Sequence, residues 1–123
     1  MIGIDLIKTS RMNRLIERFG DKILLRFLCK DEISLVKNYK TASGFWAAKE
    51  AFSKALGVGI GSDCNFHDIT IYKTAKGAPK LKLSRKLIEK FKIQDSSLSI
   101  THDGEYAIAV VVVEFSAAAD KIK

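Results

Sequence analysis

Glu50 and Lys54 stand four residues apart in the stretch GFWAAKEAFSKALG at residues 44–57, so on a helix a carboxylate and an ammonium are stacked one turn apart. Alone, such a pair is ordinary helix decoration. Other polar residues give it weight. Asp5 interrupts an apolar run at residues 1–7, where a buried carboxylate needs hydrogen bonds, a cation or a metal to offset its desolvation. Capping the turn that follows is the other use open to it. Arg11, Arg14 and Arg18 recur at i, i+3 and i+7, a row of guanidiniums suited to bidentate pairing with carboxylates or phosphates, or to a solvated basic face. His102 stands at the mouth of a hairpin, on a face shared with apolar residues, either as an edge residue or as a catalyst.

The elements that must position these groups follow from periodicity. In the helix at residues 44–57, Phe45, Ala48, Phe52, Ala55 and Leu56 form an apolar stripe, while Trp46, Glu50, Ser53, Lys54 and Gly57 lie along the other flank. Gly57, followed by Gly59 and Gly61, ends it. Residues 1–7 read as a strand with Ile2, Ile4 and Leu6 on one face and Gly3, Asp5 and Ile7 on the other. Ser10 is the expected cap of a helix to about Phe19, buried through Met12, Leu15, Ile16 and Phe19; Asp21 and Asp31 are expected to cap two shorter helices before the long one. Residues 66–73 have strand character with His67 structural or at the surface, residues 76–79 form a turn, and Ser84 caps a helix buried through Leu87, Ile88 and Phe91. Residues 97–102 and 106–115 make a hairpin about Asp103-Gly104. The second strand is almost wholly apolar, as expected of a central strand covered on both faces by helices. Residues 116–123 read as a charged tail that frays. The class is α+β, an antiparallel-rich sheet packed against a long central helix and shorter ones, in one domain over residues 1–123.

With 123 residues and 47% hydrophobic content, the chain suffices for one core. Its formal charge of +7 points to an anionic partner: nucleic acid, a phosphate-bearing cofactor or an acidic protein. Cys29 and Cys64 lack the spacing of a zinc site and fit a reducing compartment. Without a charged-then-apolar leader or a membrane-length apolar run, a cytoplasmic protein is expected.

GIDLI at residues 3–7, FWAAKEAFSKALGVGI at 45–60, KGAP at 76–79 and SITHDGEYA at 99–107 occur in an order that resembles the holo-acyl-carrier-protein synthases, the small, trimeric type of phosphopantetheinyl transferase. The resemblance spans nearly the whole chain. It implies the 4'-phosphopantetheinyl transferase fold and a magnesium-dependent transfer of phosphopantetheine from coenzyme A to a serine of an apo acyl carrier protein. The products are holo carrier protein and adenosine 3',5'-bisphosphate, in support of fatty acid biosynthesis. By the same resemblance, Asp5 and Glu50 are the metal-binding acids and Lys54 the catalytic lysine. Glu50, acting through a bound water, is the first choice of base for the serine proton, and His102 the second. Lys49, Ser53, Lys54, Gly57, Gly77, Pro79, Thr101 and His102 are the expected coenzyme-binding residues. Arg11, Arg14 and Arg18 are expected to dock the acidic carrier protein, and the active sites to form where subunits of a homotrimer meet.

Two positions depart from the family's pattern. Relatives carry Arg-Phe where this chain has Phe45-Trp46, and that arginine belongs to the coenzyme's nucleotide end; Lys49, Lys76 or Lys80 is expected to substitute. Lys8 stands where an acid is common. Two other functions compete for the same charge. A nucleic-acid binder has no need of Asp5 and Glu50, which repel phosphate unless a cation lies between them, and the chain lacks an exposed aromatic platform. A non-catalytic carrier-protein module would keep the arginine row without requiring Lys54 or the acids. Neither a membrane nor a nucleic acid is therefore expected as a partner.

Overall fold

The computed structural model describes residues 1–117. Strand β1 (Ile2–Lys8) leads into helix α1 (Thr9–Phe19), the short helices α2 (Lys22–Leu25) and α3 (Lys30–Ile33), and the long helix α4 (Tyr39–Ala55). A 3-10 turn at Phe66–Asp68 precedes β2 (Ile69–Lys73) and β3 (Pro79–Leu83), followed by helix α5 (Arg85–Phe91) and the hairpin of β4 (Ile93–Asp103) and β5 (Tyr106–Phe115). Three strands form an antiparallel sheet in the order β1-β5-β4, and β2 and β3 pair separately. The expected frayed tail lies almost wholly outside the described residues.

Helix α4 starts earlier than its apolar stripe suggests, because the Asn38 side chain accepts from the Lys40 and Thr41 N–H groups and opens the first turn at Tyr39. It is also buried nearly all round rather than on one stripe: Ala42, Ala47, Ala51 and Ser53 join Phe45, Ala48, Phe52 and Ala55 inside. Trp46, placed on the polar flank by periodicity, packs instead on the aromatic rings of Phe27 and Phe66, with centroids 5.2 and 4.8 Å away.

Other caps also differ from expectation. Lys8, not Ser10, precedes α1, whose entry is tied by the Thr9 N–H and hydroxyl donating to the Glu105 carbonyl. Asp21 precedes α2 without a side-chain cap, and α3 begins after Cys29, whose N–H is met by Glu32. Phe19 is 49% exposed, since α1 rolls Met12 rather than its C-terminal end into the core. In the hairpin, Asp103 belongs to β4 and pairs with Tyr106, which leaves Gly104-Glu105 as the loop, with Gly104 at φ 58°.

The reading of β5 as covered on both faces is corrected. Ala107, Ala109, Val111 and Val113 are buried against α4, but Val112 is 40% exposed and Ile108 and Val110 are only half-buried. Beside them on β1, Ile2, Ile4 and Leu6 are 68%, 59% and 57% exposed, so the sheet carries an open apolar face.

Gly3 decides how β1 meets α4. A Cβ there would lie 1.9 Å from the Ala51 carbonyl oxygen and 2.6 Å from the Ala55 nitrogen, so only a glycine lets the strand backbone rest on the helix backbone. Two residues on, the same face of β1 presents Asp5.

Candidate active site

The close crossing of β1 and α4 brings Asp5, Glu50 and Lys54 together. Lys54 Nζ donates to Asp5 Oδ1 at 2.8 Å and to the Ile4 carbonyl at 3.2 Å. The ammonium thus pairs with the strand acid across the crossing rather than with Glu50 one turn away, and Asp5 acts as its acceptor rather than as a turn cap. Burial pushes the Glu50 carboxyl pKa up, and the Asp5 charge pushes it the same way; Lys54 and Arg11 oppose them. Two acids whose charges work against each other form a site in which a cation is stabilising. No cluster of three or more metal-ligating side chains exists among the described residues. A pair of carboxylates is nevertheless the donor set that magnesium takes, since it keeps waters and substrate phosphate oxygens in its other positions. The residues therefore fit the ion.

At the other end of α4 a pocket of about 520 Å³ is lined by Gly77 and Pro79 of the β2–β3 hairpin, by Thr41, Gly44 and Phe45 of α4, and by Ile100 and His102 of β4. Gly44 admits β4 closely: a Cβ there would lie 3.0 Å from Ile100 Cγ2 and 3.3 Å from His102 Nε2. His102 Nε2 lies 2.9 Å from the Lys40 carbonyl. A carbonyl only accepts, so Nε2 carries the hydrogen and Nδ1 is the nitrogen left over. Two lysines line this pocket that the sequence reading did not single out, Lys37 just before the α4 cap and Lys73 at the end of β2. Single lysines beside a turn carry no periodic signal. Lys76 and Lys80, the expected replacements for the family arginine, are exposed on the hairpin and do not line the pocket.

Several expected coenzyme contacts are placed elsewhere. Lys49 is fully buried, with its ammonium bonded to Glu32 and to two backbone carbonyls, so it neither replaces the arginine nor reaches a ligand. Ser53 is buried and its hydroxyl donates to the Glu50 carbonyl. Thr101 alternates to the opposite face of β4 from His102, toward Ile108 on the open side of the sheet. Gly57, at φ 80°, follows the α4 cap beside Lys54 rather than the pocket. Arg14 and Arg18 are exposed and, among the described residues, free of ion pairs; Arg11 is exposed too but is close enough for its charge to lower the Glu50 pKa. Burial raises the Cys64 thiol to about 11, so it stays protonated.

Residues 1–111 match the family model of the 4'-phosphopantetheinyl transferase superfamily. The chain belongs to this superfamily. Its similarity to individual transferases extends over nearly all of both chains. Holo-[acyl-carrier-protein] synthase of Sulfurimonas denitrificans is 69% identical over 122 residues, 99% of this chain and 100% of the relative. The structure of Helicobacter pylori holo-[acyl-carrier-protein] synthase in complex with coenzyme A superposes with a TM-score of 0.90 at 48% identity, covering 93% of this chain and 100% of that one. The Bacillus anthracis synthase, in complex with CoA (3',5'-ADP), gives 0.79 at 36% identity, covering 94% and 96%. The expected fold, an α+β transferase domain about a long central helix, is the one these enzymes share. No helix among the described residues is long and apolar enough to cross a membrane.

Proposed function

We infer that this transferase moves the 4'-phosphopantetheine arm of coenzyme A to a serine hydroxyl of an apo acyl carrier protein. The observation that carries this reading is the set Asp5, Glu50 and Lys54 at the β1–α4 crossing, in a chain 48% identical to a synthase held in complex with coenzyme A. In the reaction the serine oxygen forms a bond to the phosphorus bearing the pantetheine arm, the bond to the bridging oxygen breaks, and adenosine 3',5'-bisphosphate leaves. Asp5 and Glu50 would hold the magnesium ion, which when bound neutralises pyrophosphate oxygens. Lys54, fixed by Asp5 and the Ile4 carbonyl, holds a positive charge where the leaving phosphate develops its negative one. Glu50, acting through a water, is the first choice to accept the serine proton, because it is the carboxylate that Lys54 does not already bond. The pocket of Gly77, Pro79 and His102 takes the nucleotide end, with Lys37 and Lys73 supplying the positive charge that Phe45 does not.

These two places are apart within one chain. His102 bonds at Lys40, ten residues before Glu50 on α4, about 15 Å along the axis at 1.5 Å per residue. A homotrimer that sets one subunit's pocket against the next subunit's acids would complete the site, and the open apolar face of β1 and β5 offers the surface. Leu6→Glu is expected to yield a folded monomer by light scattering, with transfer reduced by about 10²-fold or more as the halves separate. A monomer of normal activity would refute the shared site, and a trimer of normal activity would remove this face from the interface.

Arg14 and Arg18 face outward from α1 to steer an acidic carrier protein. Reversing both to glutamate is expected to raise the KM for carrier protein by about tenfold, and more as salt is lowered, with the KM for coenzyme A unchanged. Arg11 is left in place because its charge reaches Glu50.

Intact mass of an apo carrier protein, after incubation with this protein, coenzyme A and magnesium, tests the function directly. The expected gain is one phosphopantetheine, absent with chelator. No gain with several carrier proteins and a folded enzyme would reject the transferase reading.

A further inference from the structure

Lys49 has no role in the steps above, yet among the described residues it is the centre of the most heavily bonded buried polar group. Its ammonium donates to the Phe27 carbonyl at 2.6 Å, to Glu32 Oε1 at 2.9 Å and to the Phe66 carbonyl at 3.1 Å, which uses all its hydrogens. Glu32 is equally committed: Oε1 also accepts the Cys29 N–H at 2.9 Å, and Oε2 accepts the Ile71 N–H at 2.8 Å. Both side chains are essentially inaccessible, at 0% and 1% exposure. Segments after α2, in α3 and at the 3-10 turn therefore meet Lys49 of α4, and the middle of β2 is tied to the same pair through Glu32.

The bond to Ile71 gives this pair a functional address. Ile71 is the central residue of β2, paired to Leu81 of β3, and the hairpin of those strands carries Gly77 of the pocket in its loop and Pro79 at the start of β3. Glu50, the next residue along α4, points to the other half of the site. The acids are held separately, by the Gly3 crossing and the Lys54–Asp5 pair.

We propose that the buried Lys49–Glu32 pair is a positioning device that fixes the β2–β3 hairpin, and with it the coenzyme pocket, on the helix that carries the catalytic acid. The proposal rests on the reading of the pocket as the coenzyme site. Glu32→Gln keeps the shape of the side chain but offers one acceptor oxygen where the carboxylate has two, so the bond to Ile71 or the bonds on the Lys49 side must be lost. In Lys49→Met the carboxylate is buried without its cation; adding Glu32→Gln removes that charge, so the double variant should be the better folded of the two.

Two readouts decide. In Glu32→Gln, and in the double variant, the KM for coenzyme A is expected to rise by about tenfold or more while kcat and the KM for carrier protein stay within about threefold, since the acids and the arginine row are held by other contacts. Amide hydrogen exchange is expected to quicken in residues 69–83 before it does in residues 2–8 or 106–112. A purely stabilising pair would raise exchange evenly and leave the KM for coenzyme A unchanged in the folded fraction; either result overturns the proposal. Exchange requires no turnover, so hairpin-selective loosening supports the positioning role even if the wild-type protein transfers nothing, whereas that absence of transfer would defeat the functional reading alone.

Discussion

Glu50→Gln is expected to abolish phosphopantetheine transfer, by about 10²- to 10⁴-fold, while making the metal-free protein more stable. Both effects come from one cause. The carboxylate is held partly out of water beside Asp5, and its pKa is raised above the ordinary 4.5. Between those two values the folded protein binds more protons than the unfolded chain, so the wild type loses stability as pH rises through the raised pKa. The amide has nothing to titrate. Its melting curves should therefore run flat through that interval, with the variant above the wild type at neutral pH. Magnesium should reverse the order, because an ion that binds only the folded wild type stabilises it by mass action and gives the variant nothing. Calorimetry with and without magnesium, alongside the transfer assay, checks all of this. A variant that keeps transfer, or that gains as much from magnesium as the wild type, would remove Glu50 from the site.

Gly3→Ala is expected to cost about 3 kcal/mol or more, beyond the usual range of overpacking. The added methyl would fall on the Ala51 carbonyl and the Ala55 nitrogen, both main-chain atoms of a buried helix, so no rotamer change relieves the clash. Strand β1 must lift from α4, and the 2.8 Å Lys54–Asp5 bond two residues away must stretch with it. Gly44→Ala is the informative control. There the methyl meets the side chains of Ile100 and His102 at 3.0 and 3.3 Å, which can shift, and alanine recovers about 1 kcal/mol of helix propensity. Urea denaturation should show a large loss at position 3 and a small net change at position 44. Equal midpoints would mean that β1 does not rest on the helix as described.

Residue order determined much of this protein. Alternation gave the faces of β1, the Asp103-Gly104 pair marked a hairpin within one residue of its loop, and the motifs at residues 3–7, 45–60, 76–79 and 99–107 pointed to the family. Local chemistry also identified Glu50 and Lys54 as a pair worth attention, because i, i+4 spacing is a property of the helix alone. What periodicity does not contain is which partner comes to each face. Lys54 bonds Asp5, 49 residues away, and not Glu50, its neighbour in the helix. Lys49 and Glu50 are adjacent, yet one is sealed among three acceptors and the other is left to titrate, because the segments at Phe27, Glu32 and Phe66 close over Lys49 alone. Likewise the apolar run of β5 reads as doubly covered, while packing leaves Val112 open beside Ile2 and Ile4. Sequence spacing determined which residues share an element; only long-range packing decided which of them are dry, which are paired and which remain free for chemistry, since desolvation and charge pairing depend on neighbours brought from elsewhere in the chain.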